Sequence, residues 1–270
     1  MTPLALSQIC IYPIKSLGGI SLQSASVKKK GLQYDRRWML IDHRGIALTQ
    51  RGVPEMALFK LRMEREEITI DFKKSGQTVS SVKFQTGSPP TGSPTTASVW
   101  DDEVHVCEVA PRISAWFSGH LKMPCRLVIF PEKNPRPVDP RYSISNEHVS
   151  LADAYPFLII GQKSLDDLNA KLNEPVPMNR FRPNFVFTGG TPFMEDTWRD
   201  VCIGNLRFVA VKKSDRCILT TVDQESGVKG TEPLKTLSTY RKIDNKVYFG
   251  ENMVGVDEGR VAVGDRIIPG

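Results

Sequence analysis

The chain contains no Cys-x-x-Cys pair and no cysteine set at ligand spacing from a histidine. Its five cysteines, Cys10, Cys107, Cys125, Cys202 and Cys217, are scattered and odd in number, and its four histidines are equally dispersed. These absences argue against a disulfide framework, a zinc-finger type of site and a cysteine-ligated iron–sulfur cluster. A metal gripped by several protein side chains is not expected. A metal carried mainly by an organic group, with one sulfur from the protein, stays open. A Gly-rich dinucleotide fingerprint is missing as well. No apolar run approaches the roughly 20 residues needed to cross a bilayer. Met1-Thr2-Pro3-Leu4 has neither the basic leader nor the apolar stretch of a secretion signal. The expectation is a cytoplasmic protein with no membrane segment.

Charge of one sign is never concentrated. The net charge is +6, yet the dense clusters are only Lys28-Lys29-Lys30 and Lys212-Lys213, with no basic stretch interleaved with aromatics. Nucleic acid is therefore not an expected partner, whereas a mild positive excess suits a small anionic ligand.

What is present is alternation. Apolar and polar residues alternate, or short apolar runs occur, over 7–12, 38–42, 68–72, 79–84 and 104–108, which predicts strands. Residues 85–98 are almost wholly Gly, Ser, Pro and Thr and predict a loop. Residues 113–121 predict a helix burying Trp116 and Phe117, and the Pro- and Arg-rich passage 131–141 a linker or lid. A second helix is predicted over 165–172, with Ser164 capping its first amides and Leu165, Leu168 and Leu172 on one face. Strands are expected over 185–187, 201–203 and 206–211, the last two joined by a Gly204-Asn205 hairpin. A final strand over 260–267 is interrupted at Gly264-Asp265. At 270 residues this is room for two modest domains or one large one, of predominantly β, α+β class.

The stretch most suggestive of chemistry is Asp215-Arg216-Cys217-Ile218-Leu219-Thr220-Thr221. A thiolate ligates soft metals or attacks electrophiles, and an adjacent cation favours it. Equally, a free cysteine is most often a small core residue, and Arg216 an exposed surface charge. Lys15 and Ser16 follow the Tyr12-Pro13 turn. A lysine there is either solvated or an anion ligand, and nothing nearby suggests a Schiff-base pocket. Arg182 and Asn184 flank the rigid Pro183, and Arg180 and Arg182 could also serve as ion-pair partners for nearby acids.

Three segments carry a resemblance: Ile11-Tyr12-Pro13-Ile14-Lys15-Ser16 with Asp35-Arg36-Arg37-Trp38; Asn179-Arg180-Phe181-Arg182-Pro183-Asn184; and Arg216-Cys217 continued by Glu232-Pro233-Leu234 and Thr239-Tyr240-Arg241. In order and spacing the chain resembles the MOSC superfamily of molybdenum-cofactor proteins, and within it the amidoxime-reducing group with its bacterial homologues. The resemblance implies an N-terminal MOSC-type β-barrel domain over 1–130 and a MOSC β-barrel domain over 131–270. It implies molybdenum ligation by the Cys217 sulfur, with the dithiolene of molybdopterin supplying two more sulfurs. Lys15, Ser16 and Arg36 would meet the pterin phosphate region, and Arg182, Asn184 and Arg216 other parts of the cofactor. Asp153, Ala154 and Tyr155 would form a contacting loop, and Asn252 a late polar contact. The chain departs from the family at Ala154 and Tyr155, where small hydroxyl residues are usual. It departs again at Asp215, a serine in relatives, whose charge would temper the field at Cys217. A third departure is Arg36-Arg37, two arginines where one is usual, of which Arg36 is taken to face inward.

The implied activity is reduction of amidoximes, hydroxamic acids and N-hydroxylated nucleobases. The electrons would come from a separate protein of reductase, ferredoxin or cytochrome b5 type. The rivals are a non-catalytic cofactor carrier and sulfur transfer through a Cys217 persulfide, although the pyridoxal-dependent domain that accompanies that chemistry is not within these 270 residues.

Overall fold

The computed structural model describes residues 3–270. Its first strand, Ala5–Ile11, buries Leu6, Ile9 and Ile11. It pairs antiparallel with Phe185–Thr188 on one side and with Ile20–Leu22 on the other. Phe185–Thr188 runs parallel to Phe157–Gly161, and between those two parallel strands the chain crosses through the helix Gln162–Asn169. The sheet continues through Lys246–Gly255, Leu206–Asp215, Asp200–Ile203 and Ile267–Pro269. It then returns to its start. Ala5 bridges Arg266, the Leu6 amide donates to the Asp265 carbonyl at 2.8 Å, and the Ile267 amide donates to the Leu4 carbonyl at 3.0 Å. The sheet is thus a closed barrel, in which closure leaves few unpaired edges. Phe157, Phe185 and Phe208 are buried together, Phe208 edge-on to both of the others.

Residues 38–129 add smaller sheets. Phe59–Glu64, Glu67–Lys74 and Gln77–Gln85 form a meander. Trp38–Ile41, Arg126–Ile129, Asp102–Glu108 and Pro94–Val99 form a four-stranded sheet. The helix Pro111–Leu121 buries Phe117 at the centre of an aromatic cluster with Phe59 and Trp116. The fold is mostly β, with three α-helices among the described residues. The sheets also cross the division of the sequence. The strand Ala5–Ile11 completes the barrel of the later half, and Gly259–Ala262 pairs with Ser24–Lys28.

Several elements differ from expectation. The loop over 85–98 is shorter, because Pro94–Val99 is a strand. Its Ala97 and Val99 are buried against Asp102–Glu108, while Thr96 and Ser98 stand on the solvent side. The final strand splits at residues 264–265 into Gly259–Ala262 and Ile267–Pro269, which belong to different sheets. The second helix begins earlier, with Gly161 at its cap. Ser164 does not cap it. Its hydroxyl donates to both oxygens of buried Glu195, at 2.8 and 3.0 Å, and accepts from the Phe193 amide at 2.8 Å. Removing one donor from a buried carboxyl costs about 1–3 kcal/mol. Ser164→Ala is therefore expected to lower unfolding stability by roughly that amount, measured by urea denaturation, and an unchanged midpoint would show that the bond contributes nothing.

Candidate functional site

The site starts where the first strand ends. The Tyr12 amide donates to Asp35 Oδ1 at 2.7 Å, which holds the following turn, and the Tyr12 ring is buried. Two guanidinium groups lie over that ring, Arg36 at 4.4 Å and Arg182 at 4.2 Å from its centroid. Arg36 donates to Asp35 Oδ2 at 2.6 Å, to Asn184 Oδ1 at 3.3 Å and to the Arg182 carbonyl at 3.1 Å. Arg37 turns elsewhere, to Glu132 at 3.2 Å. Ser16, Arg36 and Arg182 all have positive φ, at 64°, 49° and 57°. Such backbone is disfavoured for residues with a Cβ and clusters at ligand clamps. Asn184 fastens strands together: its amide donates to the Cys10 carbonyl at 3.1 Å, and its oxygen accepts from the Leu158 amide at 3.2 Å.

Beside this cluster, Asp153 joins two cations. One carboxylate oxygen lies 2.5 Å from Lys15 Nζ and the other 2.6 Å from Arg51 Nη2. Lys15 also donates to the Leu151 carbonyl at 2.8 Å. Arg51 Nε in turn donates to Cys217 Sγ at 3.2 Å. The chain of contacts Lys15–Asp153–Arg51–Cys217 thereby links four segments far apart in sequence. Buried Arg136 holds the loop that carries Asp153, donating to the Ser150 and Ala152 carbonyls at 2.6 Å and to the Asp153 carbonyl at 3.2 Å. Packing around Asp153 opposes its charge, but Lys15 and Arg51 outweigh that and hold the carboxyl far below the usual carboxylate range. Burial pushes the Lys15 amine down, with Asp153 partly opposing.

Cys217 is half-buried, just ahead of the short turn Ile218–Thr221. Thr220 closes that turn by donating from its hydroxyl to the Cys217 carbonyl at 2.9 Å. Arg180 pins the same segment, donating to the Thr220 carbonyl at 2.9 Å and pairing with Asp223 at 3.0 Å. Arg216 donates to Ser214 Oγ at 2.8 Å and to the Phe181 carbonyl at 2.6 Å, leaving its buried Nε without a partner. Among the described residues, Arg182 likewise has a buried Nη2 without a partner, and no ion pair. Burial lowers both guanidinium groups to about 10, with Asp153 and Tyr12 within electrostatic reach of each.

The site therefore gathers five cations, Lys15, Arg36, Arg51, Arg182 and Arg216, against the carboxylates of Asp35 and Asp153. Buried positive charge left in such excess is unfavourable without an anion to accept it. Other expected residues sit differently. Asp215 pairs with Lys246 at 3.4 Å and also lies within electrostatic reach of Arg216. Tyr155 packs against Tyr142, under Lys212, and Ala154 is exposed. Asn252 lies half-buried in Lys246–Gly255, in register with Leu158 and Lys212. Sequence reasoning missed Arg51, Arg136 and the structural roles of Tyr12 and Asp35. Arg51 sits in Thr49-Gln50-Arg51-Gly52, where no spacing connects it to a cysteine 166 positions away.

Residues 4–124 match the family described as the MOSC N-terminal beta barrel domain, and residues 146–268 match the MOSC domain. The chain belongs to the MOSC family. This MOSC protein is 33% identical over 284 residues to mitochondrial amidoxime-reducing component 1 of Mus musculus, covering 97% of the chain and 81% of that relative. It is 33% identical over 285 residues to the Homo sapiens component 1, covering 97% and 82% respectively. It is also 31% identical over 294 residues to the molybdenum cofactor sulfurase of Arabidopsis thaliana, covering 98% of this chain but 35% of that protein. The residues between the two matched regions include the proline- and arginine-rich passage, which supplies Arg136 to the site. No helix among the described residues is long and apolar enough to cross a membrane.

Proposed function

We propose that this MOSC protein binds molybdenum cofactor at this cluster of cations, through Cys217 to the metal, and reduces N-hydroxylated compounds such as amidoximes, hydroxamic acids and N-hydroxylated nucleobases. The observation that carries the reading is the excess of buried and part-buried cations, two of them with buried N–H groups unpartnered among the described residues, around a single half-exposed thiol. The residues present fit an anionic, phosphate-bearing pterin with a soft metal centre. Guanidinium forks suit phosphate, and a thiolate suits a metal already held by dithiolene sulfur. Among the described residues no group of three or more His, Cys, Asp or Glu side chains could hold a metal ion. In this reading Cys217 is the one protein ligand.

Each residue has a distinct part. Lys15, Ser16 and Arg36 hold the phosphate region at the end of the first strand. Arg182 and Arg216 donate from buried positions to the anionic ring system and exclude water beneath it. Asn184 keeps the strands that carry Arg36 and Arg182 in register. Asp153 holds Lys15 and Arg51 in place through its two oxygens. Bound cofactor supplies the oxygen-accepting, two-electron chemistry; an N–OH group plus two electrons and two protons gives N–H and water. The electrons come from a separate protein, of reductase, ferredoxin or cytochrome b5 type, docking on the basic face.

The similarity to amidoxime-reducing components over most of both chains favours reduction over cofactor carriage. The sulfurase similarity, with a half-exposed Cys217, keeps persulfide transfer as the second reading. Protein from a molybdenum-competent host is expected to contain one molybdenum per chain. With an artificial electron donor it should convert benzamidoxime to benzamidine. Stoichiometric molybdenum without any product would point instead to carriage.

A further inference from the structure

We infer that Trp100 is the stacking face for the planar end of the substrate, so that the site selects aromatic over small aliphatic N-hydroxylated compounds. The inference rests on the reading above and names the specificity element of the same site.

Val99 pairs with Asp102, which places Trp100 and Asp101 in a two-residue turn between Pro94–Val99 and Asp102–Glu108. Trp100 has φ +57°, a conformation that such turns normally give to glycine, asparagine or aspartate. A bulky ring is therefore held where a small residue would relieve the backbone. It is also 61% exposed, the opposite of what a tryptophan retained for core packing would show.

Its position explains both facts. The indole lies over the Arg51 guanidinium, 4.5 Å from its centre. Arg51 is tethered twice more, by Nη2 to Asp153 at 2.6 Å and by Nε to Cys217 Sγ at 3.2 Å. An arginine fixed at both ends holds the ring still, and it does so one residue from the thiol proposed to bind the metal. The exposed part of the ring stays open to a ligand. Ile218, next to Cys217 in the chain, is exposed as well (43%) and adds apolar surface beside the thiol. A rigid aromatic surface beside a polar centre favours a flat ring joined to a polar N-hydroxyl group, because stacking stabilises the ring while the polar end is directed toward the centre at Cys217.

The test compares benzamidoxime with acetamidoxime, by calorimetric binding to molybdenum-loaded wild-type, Trp100→Phe and Trp100→Ala proteins at matched molybdenum content. Wild type should favour benzamidoxime by roughly three- to tenfold, the range one aromatic pair provides. Trp100→Phe should keep most of that ratio and Trp100→Ala should bring it close to one. Quenching of tryptophan fluorescence by benzamidoxime should fall in Trp100→Ala as well. An unchanged ratio in Trp100→Ala, or no preference in wild type, would overturn the inference. If wild type shows the preference but forms no benzamidine, the reductase reading fails while the stacking role of Trp100 stands.

Discussion

Cys217→Ser is expected to lose nearly all reduction of N-hydroxylated substrate, with Cys107→Ser and Cys202→Ser keeping most of it. A serine oxygen is harder than a thiolate and far less readily ionised, so a soft metal centre would lose both its ligand and its electronic balance. Local structure should survive the change. The turn after residue 217 is closed by Thr220 onto a main-chain carbonyl, and Arg180 pins it through main-chain oxygens, so neither contact needs the sulfur. Arg51 keeps its bond to Asp153. Cys107 and Cys202 lie in strands paired with Ile129 and Ile268, remote from this contact chain. Activity should be measured at matched molybdenum content with an artificial donor. Equal turnover by wild type and Cys217→Ser would remove Cys217 from the chemistry.

The second large effect has opposite signs in the empty and the loaded protein. Arg182 is a buried guanidinium with an unpartnered nitrogen and no ion pair among the described residues, and burial lowers its pKa to about 10. Exchanging buried charged groups for well-packed apolar chains of similar volume is often neutral or stabilising by about 1–4 kcal/mol, and a cation without an ion pair forfeits no salt bridge when it is removed. Arg182→Met retains the positive φ of the native residue, so the backbone strain cancels in the comparison. The cofactor-free variant is accordingly expected to melt several degrees higher than wild type. The same variant, produced in a molybdenum-competent host, should contain little of the metal. A residue retained for folding would show the reverse: a lower melting temperature and normal molybdenum. The stability gain should shrink when the comparison is made between loaded proteins, because a ligand that binds only the folded state stabilises wild type.

How much of this was legible in the sequence depended on distance along the chain. A strand that alternates, such as Glu67–Lys74, is visible because Ile68 and Ile70 reach the core, and Ala5–Ile11 is visible by its apolar and β-favouring residues despite the register shift between Leu6 and Gln8. The strand Lys246–Gly255 lies between Leu206–Asp215 and Phe157–Gly161 in the barrel, yet Gly250-Glu251-Asn252 interrupts its apolar pattern and hides it. Phe59–Glu64 was not anticipated although Phe59, Leu61 and Met63 alternate with Lys60, Arg62 and Glu64, and the helix Leu234–Tyr240 is masked by its lysine, serine and threonines. In the site, Lys15, Arg36, Arg182, Arg216 and Cys217 could be singled out because each sits in a recognisable local motif. The structure brings Lys15 and Cys217 onto one line of contacts and Arg36 and Arg182 onto one ring. What joins them is not local. Arg51 reaches residues 102 and 166 positions away, and Arg136 works through carbonyls of a loop that only the fold places beside it. Trp100 reads as an ordinary turn residue until its ring is seen on Arg51. Ser164 shows the converse: a hydroxyl at a plausible cap position is claimed by a buried carboxylate.

The central proposal is a molybdenum cofactor held among the site's cations through the Cys217 sulfur. X-ray absorption at the molybdenum edge tests this most directly, by counting sulfur neighbours of the metal in loaded wild-type and Cys217→Ser proteins. The account predicts that the variant has one sulfur fewer. An unchanged sulfur count in the variant, or a wild-type protein that takes up no molybdenum, would contradict it.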